Sequence, residues 1–291
     1  MRLKDIQDIF HKELDEIYGK DEVNSFFFML TEAYFGLERF ALAINPDVTI
    51  SKEEETPMFS ALSELKLQKP IQHILGNAHF FGLEFLVNEH TLIPRPETEE
   101  LVQWILDEVK KNSTTETLRI LDIGTGSGCI PIALKKQLPT AKVYALDISE
   151  SALKVARKNA ETNEVEIEFA TADVLSLADL NVFNDEELSF DIIVSNPPYV
   201  RNLEKAEMQK NVLEYEPDSA LFVEDDNPLI FYDRITNLAK AHLQPNGSLY
   251  FEINQYLGKE MIALLKNKEF KNIELRKDIF GVDRMMRAVK L

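Results

Sequence analysis

The stretch LRILDIGTGSGCI, residues 118–130, decides the fold because it joins a predicted buried strand directly to a glycine-rich loop. Gly124, Gly126 and Gly128 allow a tight turn and let a ligand approach the backbone without meeting Cβ atoms. The spacing is G-x-G-x-G, and Cys129 stands where a dinucleotide fingerprint needs a further small residue. The stretch therefore predicts a small-molecule site between a strand and a helix, with Cys129 as a core residue of that helix.

From Leu118 onward, apolar strand-like runs alternate with helical patterns. The strand-like runs are LRILDI, KVYALDI, IEFAT, FDIIVS and GSLYFEI, and the helical patterns cover residues 129–138, 149–162, 228–242 and 257–267. This alternation is typical of a parallel sheet covered by helices on both faces. The final RMMRAVKL predicts one more strand at the edge of the sheet, antiparallel to its neighbour.

Aspartates accompany three successive predicted strands near their carboxyl ends, where such sheets bind ligands. Asp122 is placed to hold a positively charged amino group beside the loop that contains Thr125 and Ser127. Asp147 can accept both hydroxyls of a ribose, and Asp173, with the Val174 amide, can face an adenine amino group. Any one of these residues alone could be a helix cap or part of a tight turn. Their common register favours a nucleoside site.

A second loop, Asn196, Pro197, Pro198 and Tyr199, follows the strand FDIIVS at the same predicted edge. The two prolines stiffen the loop at little entropic cost. The Asn196 side-chain oxygen and the Pro197 carbonyl can then accept both N–H bonds of a planar NH2 group, and Tyr199 can form a flat wall beside it. In isolation this could be a capped turn. In this position it predicts that a planar nitrogen is methylated there by a sulfonium donor.

Composition limits the classes of function. The chain has 291 residues, 45% of them hydrophobic, and a formal net charge of -18, which disfavours sustained contact with a phosphate backbone. The single cysteine cannot form an internal disulfide, and the five histidines lack metal-ligand spacing. The first residues contain no apolar stretch of signal-peptide length, and no apolar run approaches the length of a membrane span. We expect a cytoplasmic protein with no bound metal.

The predicted domain organisation has three parts. Residues 1–75 show apolar residues at helical spacing, with Ser51 as an N-cap followed by acidic residues, and predict a small helical domain. Residues 76–93 change to short aromatic and β-branched stretches around Gly82, which predict a hairpin linker. Residues 94–291 begin with a predicted helix at IPRPETEELVQWILDEV and form the larger domain.

Over nearly its whole length the chain resembles the release-factor glutamine methyltransferases, the HemK/PrmC family. The resemblance rests, in order, on QHILGNAHFFGLEFLVNEHTLIPRPETEELV, DIGTGSGCI, FDIIVSNPPYV, VLEYEPDSALFVEDD and KDIFGVDR. It implies a class I S-adenosylmethionine-dependent methyltransferase with a Rossmann-like seven-stranded sheet and an N-terminal helical domain. The chain departs from the family at two positions: Val174 stands where some members have an aromatic residue, and Asn254 stands where a glycine is usual.

The resemblance also implies a reaction and its partners. The substrate would be the glutamine of the Gly-Gly-Gln motif in class I release factors, methylated on its side-chain nitrogen. Residues 124–128, Asp147 and the residue after Asp173 would bind S-adenosylmethionine, and residues 196–199 would hold the glutamine, with Asn196 touching both ligands. We expect a monomer whose helical domain docks the release factor. Two rival interpretations are an enzyme acting on exocyclic amines of nucleic acid, which the acidic charge disfavours, and a non-catalytic nucleoside-binding scaffold.

Overall fold

The computed structural model describes residues 1–112, 117–183 and 188–291, apart from the side chain of Ala41. The helices are α1 (Leu3–Tyr18), α2 (Lys20–Phe35), α3 (Arg39–Ile44), α4 (Lys52–Lys66), α5 (Ile71–Leu75), α6 (Pro96–Asn112), α7 (Cys129–Gln137), α8 (Glu150–Thr162), α9 (Lys210–Tyr215), α10 (Asp218–Leu221), α11 (Ile230–His242) and α12 (Gly258–Asn267). The strands are β1 (Asn77–Phe80), β2 (Leu83–Leu86), β3 (Arg119–Ile123), β4 (Lys142–Asp147), β5 (Glu168–Thr171), β6 (Phe190–Ser195), β7 (Val200–Arg201), β8 (Phe222–Val223), β9 (Leu243–Glu252), β10 (Lys271–Lys277) and β11 (Asp283–Val289).

The chain forms two compact units. One contains Met1–Gly76 and Gln209–Tyr215, and the other contains Asn77–Met208 and Glu216–Leu291. No helix in the described ranges is long and apolar enough to cross a membrane.

The first unit is helical because its apolar residues recur on one face of each long helix. In α1 the buried residues are spaced three or four apart, and Phe10 packs edge-on against Phe27 of α2 at 5.5 Å between ring centroids. At the start of α4, Ser51 and Glu54 form a capping box, as the predicted N-cap implied. The unit therefore has a hydrophobic core of its own.

The second unit begins with the predicted hairpin. β1 and β2 pair antiparallel through a two-residue turn at Phe81 and Gly82, whose φ angles are 51° and 73°. Positive φ at both positions matches the twist of the flanking strands. The turn is fixed to α6, because the Phe81 amide donates to the Glu99 carboxylate at 2.7 Å.

A seven-stranded sheet in the order β10-β11-β9-β6-β3-β4-β5 forms the centre of this unit. β9, β6, β3, β4 and β5 are parallel, and β11 is antiparallel to both of its neighbours. Buried side chains on one face pack with α11 and α12, and those on the other face pack with α6 and α7. The mostly parallel α/β sheet that the sequence predicts is therefore confirmed.

The predicted position of the last strand is wrong. β11 lies inside the sheet between β9 and β10, and the edge is β10, which the sequence pattern missed. The β10 residues KNIELRK are mostly polar, and none of them is fully buried. Its two apolar residues, Ile273 and Leu275, alternate with polar residues and pack against the core, so the strand carries only a short period-2 pattern.

The register brings the carboxyl ends of the central strands to one level. Ile123 at the end of β3 lies beside Leu146 of β4 and Ser195 of β6. The Ser195 hydroxyl donates to the Ile123 carbonyl at 2.6 Å, which fastens the end of β6 to β3. Because the chain order reverses between β3 and β6, a crevice opens there, where ligands of such sheets bind.

Candidate active site

The glycine loop after β3 has the backbone that its sequence predicts. The φ angles of Gly124, Gly126 and Gly128 are 76°, 53° and 81°, a region that other residues rarely adopt. A Cβ on Gly124 or Gly126 would enter open space, whereas one on Gly128 would lie 3.1 Å from both Ala156 and Ile132. Gly128 thus allows close helix packing, and the other two leave the ligand side of the loop open.

A buried asparagine that sequence reasoning missed holds this loop in place. Asn159 of α8 is fully buried, and its amide donates to the carbonyls of Ser127 at 2.9 Å and Leu86 at 3.0 Å. Its oxygen accepts from the Leu86 amide at 2.7 Å. One side chain therefore joins the glycine loop to the hairpin.

Asp122 is a fully buried carboxyl at the base of the loop. Both of its oxygens, and the hydroxyl oxygens of Thr125 and Ser127, are buried without a hydrogen-bond partner among the described residues. Burial raises the pKa of Asp122 to about 7, against the opposing effect of the nearby Thr125 hydroxyl. Buried polar atoms are normally paired, so these groups fit the charged amino-acid end of S-adenosylmethionine.

Asp147 is the last residue of β4, and its carboxylate accepts two hydrogen bonds from backbone amides. One oxygen accepts from the Gly126 amide and the other from the Ser149 amide, both at 2.8 Å. Burial raises its pKa even though these amides favour the charged form. Each oxygen retains a lone pair, so the pair of ribose hydroxyls expected from the sequence fits this carboxylate.

Asp173 and Val174 line the same cavity beyond β5. One Asp173 oxygen accepts from the Leu175 amide at 2.9 Å, which shapes the turn and leaves the other oxygen available. Val174 is 9% exposed, so it offers a small apolar contact and no ring for stacking. The aromatic rings that line the cavity come from elsewhere in the chain, at Phe222 and Phe231.

The cavity has a volume of about 350 Å³ and lies wholly within the second unit. Its lining includes residues 124–127, Asp147 and Ser149 on the nucleoside side and Asn196, Pro197 and Pro198 on the other. The two loops that the sequence placed at one sheet edge therefore face a common space. A volume of this size falls within the range of small-molecule binding sites.

Asn196 is half-buried, and its amide nitrogen donates to the Thr98 hydroxyl at 3.4 Å. Among the described residues no backbone amide donates to the Pro197 carbonyl. That carbonyl is therefore an open acceptor beside Asn196, as the planar-nitrogen interpretation requires.

Tyr199 lies outside the lining of this cavity. Its ring packs against the hydrophobic core, and its hydroxyl donates to a Glu252 oxygen at 3.0 Å. Burial and the neighbouring Glu252 carboxyl raise its pKa. The sequence predicted that the Tyr199 ring lies against the substrate. In the structure the ring instead packs among protein side chains, outside the cavity lining.

Glu252 at the end of β9 is a second buried carboxyl that sequence reasoning missed. It is 2% exposed and accepts from Thr98 at 2.6 Å as well as from Tyr199. Burial raises its pKa, while these hydroxyls and the positive charge of Arg284 act in the opposite direction. Nothing in the local sequence identifies this contact, because Thr98 and Glu252 are 154 residues apart.

The segment that contains Glu216 also gains a role. The Glu216 carboxylate accepts from the Ile93 amide at 3.0 Å and forms an ion pair with Arg95, which lines the cavity. Its side chain is 1% exposed. Glu216 therefore holds the loop before α6 against the cavity, together with the lining residue Pro217.

Asn254, one of the two departures from the family pattern, supports the Asn196 loop from behind. Its amide donates to the Tyr199 carbonyl at 3.0 Å and to Glu204 at 2.8 Å, and its oxygen accepts from the Tyr256 amide at 2.9 Å. With every polar atom paired, Asn254 is suited to its buried position.

Cys129 lines the cavity, but burial raises its pKa to about 12. A neutral thiol is a poor nucleophile. No cluster of His, Cys, Asp or Glu suited to a metal ion occurs in the part of the chain that the structure describes.

The sheet has seven mostly parallel strands, with antiparallel β11 second from its edge, and its glycine loop, Asp147 and the residues Asn196, Pro197 and Pro198 line one cavity. These features are typical of a class I S-adenosylmethionine-dependent methyltransferase. Residues 101–217 match the methyltransferase small domain family. The chain is 54% identical over 288 residues to the release factor glutamine methyltransferase of Flavobacterium psychrophilum, covering 99% of each chain. It is 44% identical over 277 residues to that of Bacteroides thetaiotaomicron, covering 95% of this chain and 96% of the relative. The chain belongs to the release factor glutamine methyltransferase family.

Solved structures share the fold at low identity. The hMettl16 catalytic domain, in complex with MAT2A 3′UTR hairpin 6, aligns with a TM-score of 0.56 at 16% identity, over 80% of this chain and 81% of the other. The T. thermophilus 16S rRNA methyltransferase RsmC, in complex with AdoMet and guanosine, gives 0.50 at 20% identity, over 74% and 50%. These likenesses concern the fold alone. The predicted family, fold class and cofactor are confirmed.

Proposed function

We propose that this chain transfers a methyl group from S-adenosylmethionine to the side-chain amide nitrogen of the glutamine in the Gly-Gly-Gln motif of class I release factors. The observation that supports the proposal is that one cavity is lined by the residues predicted to bind the nucleoside and by Asn196, Pro197 and Pro198. The relatives at 54% and 44% identity are named for the same reaction.

Positioning is the main contribution that the chain makes to this reaction. When bound, S-adenosylmethionine supplies an electrophilic methyl group on a sulfonium. An amide nitrogen is a weak nucleophile, so its orientation counts, and orientation can supply about 7–11 kcal/mol of a barrier. The Asn196 oxygen and the Pro197 carbonyl would accept the two N–H bonds of the glutamine amide and aim its nitrogen at the methyl group. The nitrogen then releases one of these protons to solvent, so that the methylated amide is neutral and the positive charge of the sulfonium leaves as this proton.

The charge of the chain supports a protein substrate. With 50 acidic and 32 basic residues, the chain carries an excess of negative charge, which opposes binding to a phosphate backbone. RNA methyltransferases share the fold, but the fold does not determine the substrate. A release factor as substrate also agrees with the cytoplasmic location and the monomeric state expected from the sequence.

We further propose that the helical unit docks the release factor. Its α3 carries two exposed apolar residues four positions apart, Phe40 at 70% and Ile44 at 83% exposure. Residues four positions apart lie on the same face of a helix, and contiguous exposed apolar surface marks interaction sites. Replacing both by serine should raise the KM for the release factor and leave the Kd for S-adenosylmethionine unchanged. Ile17→Ser, at a 42% exposed position of the same unit, serves as the control. An unchanged KM for the double variant would contradict the docking role.

The enzymatic proposal is tested by transfer of labelled methyl from S-adenosylmethionine to purified release factor, DNA or tRNA. We expect label in the release factor alone and none in a release factor whose motif glutamine is replaced by alanine. Asn196→Ala should lose most activity, because a buried substrate N–H left unpaired costs about 1–3 kcal/mol besides the lost orientation. Asn202→Ala is the matched control, since Asn202 follows the same loop but does not line the cavity. Label in nucleic acid would overturn the proposal.

A further inference from the structure

Three sequence motifs without an assigned role converge behind the Asn196 loop. RPETEE contributes Thr98, FEIN contributes Glu252, and KDIFGVDR contributes Arg284. Their side chains form a continuous series of hydrogen bonds that includes Tyr199 and ends at Asn196. A buried polar group that lacks a hydrogen-bond partner destabilises the fold, so each member of the series must either donate to or accept from its neighbour.

We infer that Thr98 and Glu252 are positioning residues that hold the Asn196 side chain with its oxygen towards the cavity, and thereby make the site select an amide over a carboxylate. This inference rests on the proposed glutamine substrate.

The direction of the hydrogen bonds is set at the Arg284 end. A guanidinium can only donate, and Arg284 lies 3.5 Å from the Tyr199 oxygen while its Nε donates to Asp278 at 3.1 Å. The Tyr199 oxygen therefore accepts, and its proton is directed to Glu252. Asp278 is in turn held by the amides of Phe280 at 2.9 Å and Val282 at 3.2 Å, which fix the loop that presents Arg284.

The direction continues from Glu252 to the cavity. As a carboxylate, Glu252 offers only acceptors, and its second oxygen lies 2.6 Å from the Thr98 hydroxyl, a length typical of a hydroxyl donating to a charged oxygen. The Thr98 hydroxyl has one proton, and it donates this proton in the hydrogen bond to Glu252. The Thr98 oxygen can then only accept, so the NH2 group of Asn196 points to Thr98 at 3.4 Å. The Asn196 oxygen is left to face the cavity.

The consequence concerns specificity. With the Asn196 oxygen and the Pro197 carbonyl both acting as acceptors, the site pairs with a side-chain NH2 and repels a carboxylate of the same shape. A site built from such groups discriminates strongly, because the wrong ligand leaves buried polar groups unpaired. If Asn196 were free to rotate, its NH2 would pair with a carboxylate and the discrimination would shrink.

The test uses the full chain with Thr98→Val, which keeps the shape and removes the hydroxyl, and Thr98→Ser, which restores it. Thr236→Val is the matched control, because Thr236 is also a fully buried helical threonine of the second unit and lies outside this series. Three quantities are measured: kcat, the Kd for S-adenosylhomocysteine, and inhibition by a release factor that carries glutamate in place of the motif glutamine.

We expect Thr98→Val to lower kcat about 10- to 100-fold, from the loss of one fixed hydrogen bond in the reacting geometry, with the Kd for S-adenosylhomocysteine unchanged. The glutamate form should inhibit Thr98→Val about 10-fold more strongly, relative to the KM of the glutamine form, than it inhibits the unmodified chain. Thr98→Ser and Thr236→Val should retain the original kcat and discrimination.

Glu252→Gln keeps the shape but leaves one acceptor where two hydroxyls donate, and it provides a second test should Thr98→Val fail to fold. It should lower kcat and weaken the discrimination in the same direction. Unchanged discrimination in folded Thr98→Val or Glu252→Gln would overturn the inference even if the unmodified chain methylates the release factor. If the unmodified chain transfers no methyl to the release factor, the proposed function itself fails.

Discussion

Replacing Asp122 by asparagine should weaken the binding of S-adenosylmethionine. It should also raise the free energy of unfolding relative to the unmodified chain as pH increases. Burial raises the pKa of this carboxyl from 3.8 to about 7 in the folded chain. The difference of about 3 pH units corresponds to about 4 kcal/mol, at about 1.4 kcal/mol per unit. That is the largest penalty that the ionised group imposes on folding.

The sign of the effect follows from proton binding. Between about pH 4 and pH 7 the folded chain holds a proton on Asp122 that the unfolded chain has lost, so the contribution of this group to stability falls as pH rises. Asparagine carries no such proton. The free energy of unfolding of Asp122→Asn, minus that of the unmodified chain, should therefore increase by up to about 4 kcal/mol from about pH 4 to pH 8. An unpaired amide shifts this difference by a constant amount and leaves its pH dependence intact.

Cofactor binding should change in the opposite sense. If the ionised Asp122 pairs with the amino group of S-adenosylmethionine, binding must release the proton. The Kd of the unmodified chain should then rise about 10-fold per pH unit below about pH 7 and level off above it. Asp122→Asn should bind about 10- to 100-fold more weakly at pH 8, from the loss of a charged hydrogen bond, without this pH dependence.

Urea unfolding and calorimetric titration of S-adenosylmethionine, each at several pH values, measure the two effects. Asp226→Asn, the same substitution at an exposed position outside the cavity lining, shows what an unrelated change of charge does. Stability curves that stay parallel for Asp122→Asn and the unmodified chain would refute the buried-charge argument. Equal cofactor affinities would refute the assignment of Asp122 to the amino group.

Further predictions concern the supports of the two loops. Gly128→Ala should destabilise the chain more than Gly124→Ala in thermal unfolding, because both lie at positive φ but only the Gly128 Cβ meets neighbours at 3.1 Å; the contact adds about 1–3 kcal/mol. Equal losses would show that the helix neighbours move aside. Asn254→Ala should cost about 1–3 kcal/mol in urea unfolding, because Glu204 and the Tyr199 carbonyl lose a buried donor. Unchanged stability would indicate that water replaces the amide. Glu216→Gln should raise the KM for the release factor through loss of the ion pair with Arg95, with kcat affected less. A fall in kcat alone would place Arg95 in the reacting geometry instead.

The sequence is most informative where function depends on consecutive residues. The loop from Gly124 to Gly128 and the loop from Asn196 to Tyr199 were expected at one sheet edge, and the structure brings residues 124–127 and 196–198 to one cavity. Backbone conformation there is a local property, since positive φ requires glycine and proline restricts its own φ. A strand that leads into each loop then fixes the edge at which the loop emerges.

The remaining parts depend on contacts between distant residues. Asn159 reaches a hairpin 73 positions away, and Thr98 reaches Glu252 across 154 positions. The residues next to Glu252 in the sequence do not indicate which distant side chain will form a hydrogen bond with it. Tyr199 illustrates the same limit, because the dipeptide Pro198 and Tyr199 predicts a rigid aromatic group but not which side of the loop its ring occupies. Only the packing of β9 and β11 behind the loop decides that.

The proposed reaction is tested most directly by tandem mass spectrometry of a release factor incubated with the purified chain and S-adenosylmethionine. We expect one added methyl group on the side-chain nitrogen of the glutamine in the Gly-Gly-Gln motif, absent when Asn196→Ala replaces the unmodified chain. A methyl group on any other residue, or an unmodified glutamine with full cofactor binding, would contradict it.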